Sequence, residues 1–170
     1  MLTPREFWKA LRMRATGAAI VTTWDQSEPS GFVALSATHF SADPPLMTIS
    51  VSSTTSALAP LLRSSIFAIN YLAEEGLPIW ERFSARDAPK GSERFAGIEW
   101  HPGTTGAPIL DGVTGALECR VEETLERHET FLVFGRIVGV FHATGRFPLV
   151  HFDSKTLPPR PLGCATSATG

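Results

Sequence analysis

No basic run occurs anywhere in this chain, and cysteine, methionine and tyrosine are all scarce: two, three and one in 170 residues. The 15 lysines and arginines are outnumbered by 17 acids, for a formal net charge of −2. Without clustered cations there is nothing to neutralise a phosphate backbone, which excludes a nucleic-acid partner. Long apolar runs are also missing. The longest, near Phe131 to Phe141, is broken by Gly135, Arg136 and Gly139 and is too short to span a bilayer. The opening MLTPREFWKALRMRATG carries Arg5, Glu6, Lys9, Arg12 and Arg14 and lacks the apolar core of a secretory signal. Cys119 and Cys164 stand far apart with no ligand pattern, which reads as reduced thiols in a cytoplasmic protein, Cys119 in its core. No histidine has a partner at metal spacing, HETFL lacks the second histidine of a zincin helix, and no G-x-S-x-G elbow is present. Metal sites and serine-hydrolase chemistry are excluded.

What is present is a sequence 43% hydrophobic and 19% charged, enough for one globular domain with a core of its own. Thr3-Pro4-Arg5-Glu6 has the form of a capping box with proline at the first helical position, and Gly17 closes the segment. AAIVTTW (18–24) and FVALSA (32–37), joined by the polar turn DQSEPSG, predict an antiparallel hairpin. LMTISV (46–51) and IFAINYL (66–72) predict two more strands, with a short helix, SALAPLLRS, between them. EGLPIWERFS reads as helical and 85–112 as turn-rich. In ALECRVE, Leu117, Cys119 and Val121 alternate with Glu118, Arg120 and Glu122, the pattern of a strand with one wet face. FLVFGRIVGVF is apolar on both faces, so it is either a central strand or one covered by a second subunit. PLVHF adds a last strand, and the proline-rich residues 158–170 read as an extended or disordered tail after a single domain, 1–157. With no recurring βαβ rhythm, the fold is mainly β with short helices, a closed barrel rather than an α/β sheet.

Two stretches carry the chemistry. In SVSSTTS, Ser50 to Ser56, six of the seven residues bear a hydroxyl, at the expected junction of a strand and a helix. Backbone amides and hydroxyls there would cradle a phosphate without lysine; the plainer reading is a serine-rich helix cap. In SATHFSADPPL, Ser36, Thr38 and Ser41 surround one imidazole, His39, before a double proline. If the chain doubles back at Asp43-Pro44-Pro45, the two stretches lie side by side. They then offer a narrow backbone edge beside a phosphate site, which suits a flat ring on a phosphate tether, and flavin is the commonest such ligand.

ATGAAIVTT, GFVALSATHFSADPPLMTISV, FAINYL, ERFAGIEW, GAPILDGVTGALECRVE and FGRIVG together resemble, in order and spacing, the flavin reductases of the FMN-binding split-barrel type. The resemblance spans roughly residues 5 to 157. It implies a Greek-key-like split β-barrel, homodimeric, that uses NADH or NADPH to reduce FMN or FAD and supplies a partner flavin-dependent monooxygenase. It further implies that Val33, Ala34, Leu35, Ser36, Ala37, Thr38 and His39 line the isoalloxazine ring, largely through backbone groups. Ser50, Val51, Ser52, Ser53, Thr54, Thr55 and Ser56 would hold the phosphate and ribityl chain. Hydride passes between two cofactors, so no catalytic side chain is required. The chain departs from the family at His39, where serine is usual, and at about Ser53, where arginine is usual, which weakens the expected hold on phosphate. The family's Gly-Asp-His falls on His128-Glu129-Thr130, so Thr130 occupies the position of the nicotinamide-facing histidine and His128 is its possible substitute. His39 is either a turn residue or a contact to flavin or nicotinamide; His128 is either a solvated strand end or a nicotinamide contact. Phe83, three residues after Trp80 on a helix, is either core or a wall of the ring site. The rival to a reductase is a split barrel that keeps flavin as a bound electron carrier, or binds another flat ligand, without catalysis.

Overall fold

The structure, a computed structural model, describes residues 2–157. The tail 158–170 and Cys164 lie outside the described residues. The capping box forms as expected. Thr3 caps helix α1 (Pro4–Ala10), the Glu6 carboxylate accepts from the Thr3 amide at 2.8 Å, and a 3-10 turn, Leu11–Met13, ends the segment before Gly17. After a two-residue strand, β1 (Thr16–Gly17), the chain forms a hairpin of β2 (Ala19–Asp25) and β3 (Glu28–Val33). Its turn is tighter than the sequence suggested. Gln26 and Ser27 alone make it, both at positive φ, so Pro29, Ser30 and Gly31 belong to the strand. β3 also stops at Val33, short of the expected FVALSA.

The strands β4 (Thr38–Ala42), β5 (Pro45–Ser52) and β6 (Ile66–Leu72) follow, with helix α2 (Leu58–Ser64) between the last two. Helix α3 (Leu77–Ser84) and the short ladder of β7 (Trp100–Pro102) with β8 (Pro108–Leu110) precede two long strands, β9 (Val113–Arg127) and β10 (Thr130–His142). β11 (Val150–Phe152) pairs with β1 and with β12 (Lys155–Leu157), a strand the sequence did not announce.

Seven strands form one antiparallel sheet in the order β3-β2-β6-β9-β10-β5-β4. Its two edges are consecutive in the chain and joined only by residues 34–37. Seven flat strands would put those edges about 29 Å apart at the usual spacing, whereas the five peptide steps from Val33 to Thr38 reach at most about 17 Å. The sheet therefore has to curl until its edges approach. It does so without hydrogen-bonding edge to edge, which makes it an open barrel rather than the closed one expected.

Curling buries β2 on both faces. Ile20 and Val21 are neighbours in sequence and both fully buried, yet they enter different apolar clusters. Val21, Ile49, Phe67, Ile69, Cys119 and Val133 fill the barrel, while Ile20 packs outside it with Leu72, Trp80, Phe83, Phe95 and Leu110. Cys119 is core as expected, and burial pushes its thiol up to about 12. Gly135 lets β10 run over this core: a Cβ there would sit 2.6 Å from Phe67 Cε1 and 2.9 Å from Cys119 Cβ.

One expectation for β9 fails. Arg120 and Glu122 are exposed, but Glu118, assigned to the same wet face, is 4% exposed. The loop leading into β8 folds over it, and Thr105 donates to Glu118 Oε2 from its amide at 2.7 Å and its hydroxyl at 2.9 Å. Burial alone would raise this carboxyl, but the hydrogen bonds from Thr105 and Thr104 outweigh it and hold the group below the usual glutamate range. β10 is central, between β9 and β5, and still leaves Val138 and Val140 42% and 55% exposed. Among the described residues no helix is long and apolar enough to cross a membrane.

Candidate functional site

The curl brings three segments that are distant in sequence to one end of the sheet. The first is 33–39. Val33, Leu35, Ser36 and Ala37 are half-buried, Thr38 and His39 exposed, and Ala34 is buried, its amide donating to Ala19 O at 2.9 Å as a continuation of the β3 ladder. Ala34 therefore has neither a free amide nor an outward side chain to give a ligand. The second segment is 50–56, and Ser36 is the link: its hydroxyl accepts from the Ser50 amide at 3.0 Å and lies 3.2 Å from Ser50 O. The chain does double back at Asp43–Pro44, so the two stretches lie side by side, but the strand that pairs with β5 is β4 and not the β3 half of the hairpin. β4 is polar and mostly exposed, with His39 opposite Met47 on an outer edge.

The segment 50–56 departs from both readings of it. It does not cap α2, whose N-cap is Ala57 and carries no side-chain cap bond. Nor are its amides all free. Ser53 N donates to Glu129 O at 2.8 Å, Thr55 N to Ser52 O at 2.9 Å, and Thr54 N to Ser52 Oγ at 3.3 Å. Ser52 and Thr54 join hydroxyl to hydroxyl at 2.9 Å. What remains is a set of side chains: among the described residues the hydroxyls of Ser53, Thr55 and Ser56 make no hydrogen bond, and Ser53 and Ser56 are exposed. Val51 is 1% exposed and points into the barrel core, so it can offer no side chain to a ligand.

The third segment is the tip of the β9–β10 hairpin. His128 and Glu129 form its two-residue turn, both at positive φ (47° and 58°), a conformation glycine or aspartate adopts at lower cost. The Glu129 carbonyl holds Ser53, and Thr130 stands opposite Ser52 in the ladder. His128 and Thr130 are thus beside the hydroxyl segment, and both are exposed.

Phe83 is elsewhere. Its ring is 4% exposed, meets Phe95 edge-on at 5.4 Å between centroids and lies 5.3 Å from Arg94 Cζ, so it is core and has no free face for a ring. Arg14, by contrast, was not singled out in sequence. Its Nη2 donates to Leu35 O at 3.1 Å, which pins the middle of the first segment. No spacing signal could have found this contact across 21 residues. No cluster of three or more metal-ligating side chains occurs among the described residues.

The chain is similar in sequence and fold to known proteins. The model of the flavin reductase like domain matches residues 11–158. The reductase subunit HsaB of a flavin-dependent monooxygenase from Rhodococcus jostii is 34% identical over 151 residues, 89% of this chain and 75% of that protein. The FMN reductase (NADH) RutF of Ancylobacter novellus is 28% identical over 91% of this chain and 84% of its own. Among solved structures, a nitrilotriacetate monooxygenase component B homologue from Mycobacterium thermoresistibile superposes with a TM-score of 0.85 at 30% identity, covering 92% of this chain and 87% of that one.

Proposed function

Because the chain belongs to the flavin reductase like domain family, we propose that it is an oxidoreductase that uses NADH to reduce flavin and supplies the reduced flavin to a partner monooxygenase. The observation that carries this reading is the convergence of Ser36, Ser50–Ser56 and the His128–Thr130 tip through the Ser36–Ser50 and Ser53–Glu129 hydrogen bonds. The residues present suit a flavin. Free hydroxyls on Ser53, Thr55 and Ser56 are donors for phosphate oxygens, and the half-buried stretch from Leu35 to Ala37 gives a flat ring a narrow backbone to lie on. Flavin, once bound, supplies the hydride-accepting chemistry. The protein's own part is to hold and orient: Arg14 and Ser50 tie down residues 35–36, and the exposed His128 and Thr130, beside the hydroxyl segment, are the candidates to meet a nicotinamide. No side chain has to move a proton.

NADPH as donor and FAD as acceptor remain within this proposal, as does a cytoplasmic location. A homodimer is part of it too. Val138 and Val140 are exposed on β10, and Phe40, 60% exposed, meets Phe134 edge-on at 5.0 Å, leaving an apolar surface that a second subunit would cover. Thr130 in place of the family histidine favours one alternative, a flavin carrier that does not turn over. Following NADH oxidation at 340 nm with added FMN and FAD separates the two. A reductase, colourless as purified, oxidises NADH only when flavin is added, whereas a yellow protein that does not oxidise NADH is a carrier.

A further inference from the structure

We propose that the hollow between α1 and the β11–β12 hairpin is a binding site for a small carboxylate with an apolar body, a ligand other than the flavin and its hydride donor, and that its occupant steadies residues 33–39 through Arg14. The second half of the proposal rests on the reading above, in which that segment bears the flavin. The first half stands without it.

Residues 5, 8, 9 and 12 are spaced by three and four, so they share one side of the helix and the turn that extends it. That side walls a cavity of about 480 Å³, within the usual range for small-molecule sites. The far wall is the turn of the β11–β12 hairpin, tied to the helical segment where the Asp153 amide donates to Arg12 O at 3.2 Å. The lining is graded. Arg5, Lys9, Arg12 and Arg14 are exposed, whereas Leu11, Leu35 and His151 are half-buried, so charge stands at the mouth and carbon at the floor. His151 belongs to the floor. Its ring lies 5.2 Å from that of Trp80, its Nδ1 is engaged with Thr156 Oγ1 at 3.1 Å, and burial pulls its pKa down, toward the neutral form.

The four cations meet a single carboxylate in the hollow, Asp153. The ion pairs among the described residues use Arg63, Arg136 and Arg146 and none of these four. Glu6, the acid on the same helix, is engaged by Thr3, and residues 158–170 contain no aspartate or glutamate. An inorganic anion would use the cations and leave the floor wet; a neutral ring would cover the floor and leave the cations idle. A carboxylate on an apolar body uses both, its two oxygens matching a guanidinium fork. None of Ser50–Ser56 and none of His128–Thr130 lines the hollow, which keeps it apart from the groups assigned to the flavin phosphate and the nicotinamide. The link is Arg14, which lines the hollow and donates through Nη2 to Leu35 O at 3.1 Å. A guanidinium has five N–H donors, so a carboxylate can take another edge while that bond stands. An immobilised Arg14 then holds Leu35 more firmly, and the carboxylate and the flavin reinforce each other equally in both directions.

Calorimetric titration of 1-naphthoate into the flavin-free protein tests the site without catalysis. Binding should saturate, and 1-naphthalenemethanol, which has the same rings without the charge, should bind at least about tenfold more weakly, as should the Arg5→Gln, Lys9→Gln variant, the range for losing a hydrogen bond between charged groups. Arg5→Lys with Lys9→Arg, which keeps the charge, should retain most of the affinity. Saturating 1-naphthoate should tighten FMN about fivefold, a typical coupling between two sites, and Arg14→Gln should abolish that gain. Absent binding, equal binding of the alcohol, or affinity unchanged by the Gln substitutions overturns the site. Displacement of 1-naphthoate by FMN or NADH also overturns it, because the hollow would then belong to the reaction itself. FMN affinity that ignores 1-naphthoate overturns the coupling. A protein that takes 1-naphthoate but oxidises no NADH with either flavin overturns the functional reading and leaves the site standing.

Discussion

Two parts of this molecule are built from the same short polar side chains and use them in opposite ways. Inside the barrel wall, Thr22, Thr23 and Asn70 are all fully buried. Asn70 Nδ2 donates to Thr22 Oγ1 at 3.0 Å, Thr22 donates to Pro108 O at 2.6 Å, and Asn70 Oδ1 accepts from Leu110 N at 2.9 Å. Thr23 donates to Ile66 O at 2.7 Å. Among the described residues no buried side-chain nitrogen or oxygen lacks a partner. At the rim, Ser53, Thr55 and Ser56 carry equivalent groups that make no hydrogen bond among the described residues. Buried and satisfied, a hydroxyl ties β2 and β6 to β8. Left open beside a backbone already fixed by its neighbours, it is a donor waiting for an acceptor. The difference lies in what the fold puts over each, not in residue type.

The contrast is broken most severely from the inside. Asn70→Ala strands the Leu110 amide in the wall, removes the donor that the Thr22 hydroxyl accepts from, and should cost about 2–4 kcal/mol of stability, read from the urea midpoint. An unchanged midpoint would mean the node is decorative. Gly135→Ala drives a methyl group against Phe67 and Cys119 and should cost about 1–3 kcal/mol by overpacking, again measured by denaturant titration. Glu118 comes next. Its folded-state carboxyl is held below the usual range, so its contribution is fully present above the ordinary glutamate pKa and is lost as pH falls through the lower folded value. Glu118→Gln should therefore cost about 1–2 kcal/mol at pH 7, and the gap between variant and parent should narrow as the pH is lowered into the acid range. A gap that does not change with pH removes the charge from the explanation. The smallest effect is expected at the rim. Ser53→Ala with Thr55→Ala should move stability by no more than about 0.5 kcal/mol, as surface substitutions do, and thermal unfolding checks this.

The strands that pack on the barrel were legible in sequence because β-branched runs such as Ala18–Trp24 and Ile66–Leu72 have few other uses. The helix start was legible in Thr3-Pro4-Arg5-Glu6, where local hydrogen bonds decide the structure. What could not be read depended on contacts between distant parts of the chain. Glu118 alternates like a surface residue, and only the loop that closes over it makes it buried. β4 has no apolar periodicity, because it is an exposed edge held by β5. The hydroxyl enrichment of Ser50–Ser56 was visible, but nothing local showed that the Glu129 carbonyl takes the Ser53 amide and leaves the side chains, rather than the backbone, to meet a ligand. Phe83 kept two readings until Phe95, far along the chain, was seen to cover it.

The central claim is that the rim hydroxyls hold the phosphate of a flavin, and the most direct measurement compares FMN with riboflavin, which lacks that phosphate, by fluorescence titration. The parent protein should prefer FMN. In the Ser53→Ala, Thr55→Ala variant that preference should shrink by about 1–3 kcal/mol, the range for hydrogen bonds to a charged group, with riboflavin affinity and stability little altered. If the variant keeps the parent's full preference for FMN, the phosphate is held elsewhere and the contrast between wall and rim loses its functional meaning.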